Sequence, residues 1–283
     1  MKQEDLAVRP AGWANSIQPY RATPFQAVGS FINKTLVIAD LEARKLRHDP
    51  TELATRAIQP ILWLLVFGQV FTRTHAIPTG NLPYIDFMAP GILAQSVLFI
   101  AIFYGLAVIW ERDLGVIHKF LVSPTPRAAL VLGKAISAGL RAFVQAFIIY
   151  ILALLMGVKV NPNLVYLVGV FLMVLLGAAF FSTFSLIIAC LVKTRERFMG
   201  IGQVLTMPLF FASNSIYPIS IMPTWLQVIA KVNPLSYEVD ALRAMMLAGG
   251  TSTFGLGVDF AVLIISTGVL IAIGSFLYPR VVV

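Results

Sequence analysis

The sequence predicts an all-α polytopic membrane protein, and three observations carry that prediction. Only 12% of the 283 residues are charged while 58% are hydrophobic, roughly half the charged share of a soluble domain. The apolar residues gather in continuous runs of about twenty, the length a helix needs to cross a bilayer, and not in the alternating segments of about ten that a β-barrel shows. Lys and Arg collect at one set of run ends. With six spans, 16 of the 21 basic residues fall on one side, only Arg73, Lys159, Lys231 and Arg243 on the other, and Arg141 within a span. That bias marks the basic side as cytoplasmic and accounts for the net charge of +8 without a nucleic-acid partner.

The elements follow in order. Residues 1–24 are polar, contain prolines and lack the apolar centre of a signal peptide, so they read as a flexible cytoplasmic N-terminus and the first span is expected to direct insertion. From Phe25 to Arg47, Phe25, Val28, Ile32, Leu36, Ala39, Ala43 and Leu46 fall on one stripe. This predicts an amphipathic helix over residues 25–50, too charged to span and lying in the interface with membrane lipids. His48-Asp49-Pro50 ends it. The remainder, residues 51–283, forms the transmembrane domain. Its predicted spans are Ala54–Phe71, with Pro60 near the first turns, then Phe87–Trp110, Ala135–Met156, Leu164–Val192, Phe198–Ile216, bent at Pro208, and Phe260–Leu277.

Between the fifth and sixth spans, residues 217–250 are divided by Pro218, Pro223 and Pro234 into segments too short or too charged to cross. They are expected to be re-entrant or interfacial helices on the outer side, allowed at membrane depth where protein or water satisfies the backbone. Asn233 before Pro234 is a helix start, with a capping side chain and then proline at the first helical position. Asp240 and Arg243, three apart on this segment, are expected to pair.

The stretch Glu111–Lys134 is a charged, Pro-punctuated island between two apolar runs and must lie in water at the basic face. Leu114, Ile117, Phe120 and Leu121 recur at helical spacing, which predicts a short amphipathic helix over about 111–124, ended by Ser123-Pro124. Its apolar face either docks another protein or rests on the lipid surface, and periodicity leaves both open.

The sequence also bounds the chemistry. Gly133-Lys134 is no phosphate loop, because Ala128 and Ala135 stand where the motif needs Gly and Ser or Thr. His48, His75 and His118 are scattered over three segments, which argues against a metal site, and Cys190 stands alone in an apolar run. No span holds paired carboxylates. No energy source of its own is therefore visible in the chain. Arg141 is the one ionisable group well inside a span, expected to face protein or a wet cavity, to meet an anionic headgroup or substrate, or to snorkel to the interface. The small residues of 133–139 and Gly177-Ala178-Ala179 are expected to let helix backbones approach closely.

Four segments resemble the membrane subunits of ABC type-2 exporters, the daunorubicin-resistance type of permease above all. They are Gln59-Pro60-Ile61-Leu62-Trp63 with Gly68, Tyr84 to Gly91 ending Ala89-Pro90-Gly91, and Glu111-Arg112-Asp113-Leu114-Gly115 with Leu121, Ser123-Pro124 and Gly133-Lys134. The fourth is Asn233-Pro234-Leu235-Ser236-Tyr237 with Asp240-Ala241-Leu242-Arg243. The likeness covers about residues 25 to 280. One departure is Val116-Ile117-His118, where the family often has Thr-Leu-Glu.

The resemblance implies a six-span permease of a bacterial-type cytoplasmic membrane, both termini inside, acting as a homodimer with two copies of a separate ABC ATP-binding subunit. The chain itself would bind no cofactor, ATP and Mg being held by that partner, and would not be an enzyme. Glu111, Arg112, Gly115, Ile117, Phe120, Leu121 and Pro124 would couple to the ATPase. Asn233, Pro234, Tyr237, Asp240 and Arg243 would form an outer motif capping the exit. The expected activity is export of an amphipathic or lipid-linked compound, a drug, lipid or polysaccharide, along a path formed by spans 1, 2 and 5. A permease for cell-surface polysaccharide or lipid-linked glycan is the first alternative, and a membrane-bound lipid-modifying enzyme the second.

Overall fold

A computed structural model of the chain describes residues 29–37, 39–40, 44, 51–74, 77–80, 82–117, 126–192 and 194–279. Among the described residues there is no β-strand, and extended backbone pairs only in an isolated antiparallel bridge between Val160 and Leu247.

The residues described between 29 and 40 are helical. Thr35 and Ala39 are buried there while Ile32 and Leu36, from the predicted apolar stripe, are exposed, as a face kept for lipid or a partner would be. Helix α1 (Thr51–Leu62) runs into a π-helical segment, Trp63–Gly68, and then α2 (Gln69–Thr74), so residues 51–74 form one continuous rod over the first predicted span. Pro60 inside α1 has no N–H for the ladder, and the wider turns begin three residues later. Only Leu64 and Gly68 of the π segment are buried. Leu62, Leu65, Val66, Phe67 and Val70 are exposed.

Four helices are long and apolar enough to cross a membrane: α3 (Tyr84–Asp113), α4 (Arg127–Leu155), α5 (Leu164–Leu191) and, at the end of the chain, α9 (Leu256–Leu277). Helix α6 (Arg195–Phe211), at the fifth predicted span, has 17 residues and a length of about 26 Å. Among the described residues, length and composition thus mark four candidate crossings, with α6 and the 51–74 rod shorter or interrupted. Helix α5 is central, packing on α3, α4, α9 and the short helix α8 (Pro234–Met246). Its start is the predicted one, where the Asn163 side chain accepts from the Val165 N–H at 2.9 Å. Phe147, Leu155, Leu172, Ile265, Val269 and Phe276 stand exposed on α4, α5 and α9, a far larger apolar surface than water tolerates.

Two boundaries differ most from expectation. Helix α4 begins at Arg127, two turns before the predicted Ala135, because Pro126 precedes a run of good helix formers with no breaker. Gly133 and Lys134 therefore lie inside a helix, not in a water-exposed loop. Helix α6 ends at Phe211, before the predicted Ile216. Its last carbonyls are taken up by the Asn233 side chain, whose Nδ2 donates to Leu209 O at 2.7 Å and Ala212 O at 3.1 Å.

A 3-10 turn, Ile219–Ile221, and helix α7 (Thr224–Val232) lead into α8. Asn233 caps α8 through Leu235 N–H at 3.0 Å and Pro234 is its first residue. Almost all of α8 is buried. It is a core element against α3, α5 and α9 and not a helix lying on a surface, and its Asp240 and Arg243 find partners within the protein.

Candidate functional site

The last turn of α3 carries Glu111, Arg112 and Asp113, at the end of the molecule where the basic residues gather. Glu111 turns inward, and the Lys134 ammonium of α4 donates to its Oε2 at 2.6 Å, both side chains less than a tenth exposed. This pair continues into a polar seam. Tyr104, two turns before Glu111 on α3, donates from its hydroxyl to Ser137 Oγ at 3.2 Å. Lys134 and Arg141 stand over its ring at 5.8 and 5.0 Å. Lys134, Ser137 and Arg141 share a face of α4 because they are spaced three and four apart. Arg141 is 7% exposed, so it faces protein.

A second set of contacts holds the same helix end from the other side. Arg112 pairs with Asp113 at 3.1 Å and donates to Val192 O at 3.2 Å, and Arg195 of α6 reaches Asp113 at 2.8 Å while its guanidinium lies 4.7 Å over the Trp110 ring. The end of α3 is thus fixed to α4, to the end of α5 and to the start of α6. Such buried and half-buried charge pairs fix geometry more than they stabilise.

Beyond this anchored end, the predicted amphipathic face divides. Helix α3 stops at Asp113, and Gly115 takes φ +71°, a left-handed conformation that favours glycine and turns the chain. Leu114 is 73% exposed, whereas Ile117 is fully buried among Val108, Ile109, Leu130, Leu186, Phe198 and Tyr278. The two cannot form one docking face as expected, because the turn at Gly115 sends their side chains to opposite sides. Phe120, Leu121 and Pro124 lie outside the described residues.

At the opposite end, the outer motif is assembled but not as spacing predicts. Asp240 and Arg243 do not pair. The Asp240 Oδ2 accepts from the backbone N–H groups of Thr253 and Phe254 at 2.6 and 2.9 Å and from Ser252 Oγ at 2.9 Å. The Ser252 oxygen also stands 2.9 Å from Asp259 Oδ2. Arg243 instead donates to the carbonyls of Asn214 at 2.7 Å and Phe87 at 3.3 Å, its guanidinium 3.8 Å over the Phe87 ring. Tyr237 donates to Lys231 O at 2.6 Å. The motif's polar groups hold backbone of loops and helices alike: Asp240 the 253–254 loop, Arg243 the carbonyls of Asn214 and, on α3, Phe87, and Tyr237 the last turn of α7.

Glu238 was passed over in the sequence because it reads as one more exposed carboxylate. It is fully buried, its carboxyl without a hydrogen-bond partner among the described residues, and burial pushes that carboxyl well above the usual carboxylate range. It lies against Gly177, where any Cβ would collide with it. The small-residue run on α5 thus admits a carboxyl and not a helix backbone. The Glu111–Lys134 pair was equally hidden, since nothing local links two residues on different helices.

Among the described residues, no three His, Cys, Asp or Glu side chains are grouped to hold a metal ion. The arrangement is one of anchored helix ends and stapled loops. Residues 33–247 match the ABC-2 type transporter family.

The chain belongs to that family. It is 30% identical over 215 residues to a protein of Cyanophora paradoxa named as a transport permease, ycf38, covering 75% of this chain and 74% of that one. It is 26% identical over 237 residues to the daunorubicin resistance ABC transporter permease protein DrrB1 of Streptomyces coeruleorubidus, covering 84% and 80%. To the multidrug ABC transporter permease YbhR of Escherichia coli, so named as probable, it is 27% identical over 250 residues, covering 86% of this chain and 64% of that one. This ABC-2 chain is accordingly a multi-pass membrane permease, a transport component and not an ATPase.

Proposed function

We propose that this permease forms the membrane path of an ATP-driven exporter and is moved by separate ATP-binding subunits that dock beside the end of α3. Two copies of the permease would face each other, with the 51–74 rod, α3 and α6 lining the path, six spans in each copy and both termini in the cytoplasm. The cargo would be an amphipathic or lipid-linked compound. ATP and Mg would be held by the partner.

The observation that carries this reading is the bracket at the end of α3. The Lys134–Glu111 pair and the Asp113–Arg195 pair join α3, α4 and α6 where the charged segment begins, and Leu114 stands out from that bracket. A push delivered to Leu114 would enter three helices together. The family membership supports a docking partner, and the relatives named as resistance and multidrug permeases support export.

Co-purification tests it. Leu114→Asp is expected to lower recovery of the ATP-binding subunit by an order of magnitude, since a buried Leu contributes about 1.5–3 kcal/mol at an interface, while leaving membrane insertion intact. Equal recovery with wild type and Leu114→Asp would remove the support for docking at this point.

A further inference from the structure

A cavity of about 380 Å³ opens between α1, α3 and α6, in the middle of α3. Its walls carry three carboxamides, Gln59, Gln95 and Gln203, and two rings, Phe99 and Phe103, stacked with centroids 6.2 Å apart. Gln95 and Phe99, then Phe103, follow at four-residue steps and so share one face of α3. Gln95 lies 18 residues before Asp113, about 27 Å along the helix.

The state of the amides is the decisive feature. Gln95 is 3% exposed, and its Oε1 has no hydrogen-bond partner. Gln59 and Gln203 stand exposed on α1 and α6 amid apolar neighbours. A carboxamide offers two donors and two acceptor sites, and hydrocarbon can satisfy none of them. Lipid is therefore the wrong neighbour for this wall, and something with hydrogen-bonding groups must face it. Among the described residues, no charged side chain lines the cavity. A phosphate or carboxylate placed here would leave water without a counter-charge, and an ammonium would meet amide oxygens and ring faces but no carboxylate. The volume suits one compact ring system.

We infer that this cavity receives an uncharged amphiphile, a ring system bearing several hydroxyl, carbonyl or amide groups, with the three amides meeting those groups and Phe99 and Phe103 stacking on the ring. This deepens the exporter reading and rests on it. Within the cargo classes open to the exporter, it favours neutral glycosylated or oxygenated ring compounds over lipids linked through phosphate. The selectivity follows from desolvation: a neutral polyol exchanges water for amides, whereas an anion exchanges its hydration for no compensating charge.

The test uses the full chain with its ATP-binding subunit in phosphatidylcholine nanodiscs, with empty nanodiscs to subtract partition into lipid. Three octyl-coumarin probes share one ring and differ in a glucosyl, a phosphate or a trimethylammonium group, and their binding is followed by fluorescence anisotropy. The glucosyl probe is expected to bind at least tenfold tighter than the other two. Gln95→Leu and Gln203→Leu are each expected to weaken it about tenfold. Leu suits an apolar depth, so the span still forms, and Gln95→Asn, which keeps the amide, should recover part of the binding. Phosphate or trimethylammonium probes binding as tightly as the glucosyl one, or glucosyl binding unchanged in both Leu variants, would overturn the inference. Recovery of the ATP-binding subunit in the same preparations separates the two readings. Intact association with the wrong probe preference sinks the cargo class alone, whereas loss of association with wild-type permease sinks the exporter reading.

Discussion

The two ends of the molecule bury charge in opposite ways. At the basic end, Glu111 and Lys134 meet directly across two helices at 2.6 Å. At the far end, Asp240 and Arg243 are one turn apart without an ion pair between them, Asp240 gripping the 253–254 backbone and Arg243 the carbonyls of Asn214 and, on α3, Phe87. A carboxylate paired with an ammonium joins two rods, so the rods move as one. A carboxylate or guanidinium satisfied by peptide groups instead fixes the backbone it touches, as Asp240 does for residues 253 and 254. The basic end thus joins helices through paired side chains, and the far end joins α8 to the backbone around it.

The largest expected effect breaks the pair. Lys134→Met withdraws the Lys134 ammonium from the buried Glu111 carboxylate, and removing one partner of a buried pair costs about 3–5 kcal/mol. Thermal unfolding in nanodiscs should show that loss, and the double variant Glu111→Leu/Lys134→Met should recover most of it, since two apolar side chains need no counter-charge. The double variant should still lose transport-linked ATP hydrolysis if the pair relays movement. Wild-type coupling in that variant would show that the two helices are joined by packing alone.

A smaller effect is expected at the far end. Arg243→Gln withdraws charged hydrogen bonds from the Asn214 and Phe87 carbonyls, worth about 1.5–3 kcal/mol together with their desolvation. The loss should be local. Hydrogen exchange should quicken over residues 212–217 and leave the Glu111–Lys134 region unchanged. Faster exchange at both ends would mean that the ends are linked, contrary to the contrast drawn from their contacts.

How much of this was legible depended on whether the cause was local. Helix α5 could be placed because an unbroken apolar run marks it, and α8 because Asn233-Pro234 is a start signal in its own right. The start of α4 was misplaced because Lys134 looks like a residue that needs water. Its partner lies 23 positions earlier on another helix, and only the folded chain brings the two together. The division of Leu114 from Ile117 turns on one φ angle at Gly115, which no periodicity registers. Asp240 and Arg243 have pairing distance by spacing, but the loops at 212–217 and 251–254 offer each a better partner. The amides of the cavity were visible as letters, yet three glutamines on three helices acquire meaning only when they face one space.

The finest test of the contrast is Glu238, which belongs to neither scheme: it has no counter-charge and no backbone donor among the described residues. Burial raises the folded pKa of its carboxyl well above the ordinary value. For an acid shifted in that direction the folded state binds the extra proton, so stability is full below the unfolded pKa of about 4.3 and falls as pH rises toward the folded value. Glu238→Gln replaces a neutral acid with a neutral amide of the same shape. At low pH the substitution should change stability little, by about 1 kcal/mol or less. As pH is raised above the ordinary carboxylate range, the variant should become the more stable of the two, because it has no proton to lose. Thermal unfolding of both proteins between pH 4.5 and pH 8, in steps of about half a unit, reads this out as a widening gap. Parallel curves would mean that Glu238 is ionised in the fold and has found a cation, and the far end would then contain a pair of the kind that marks the basic end.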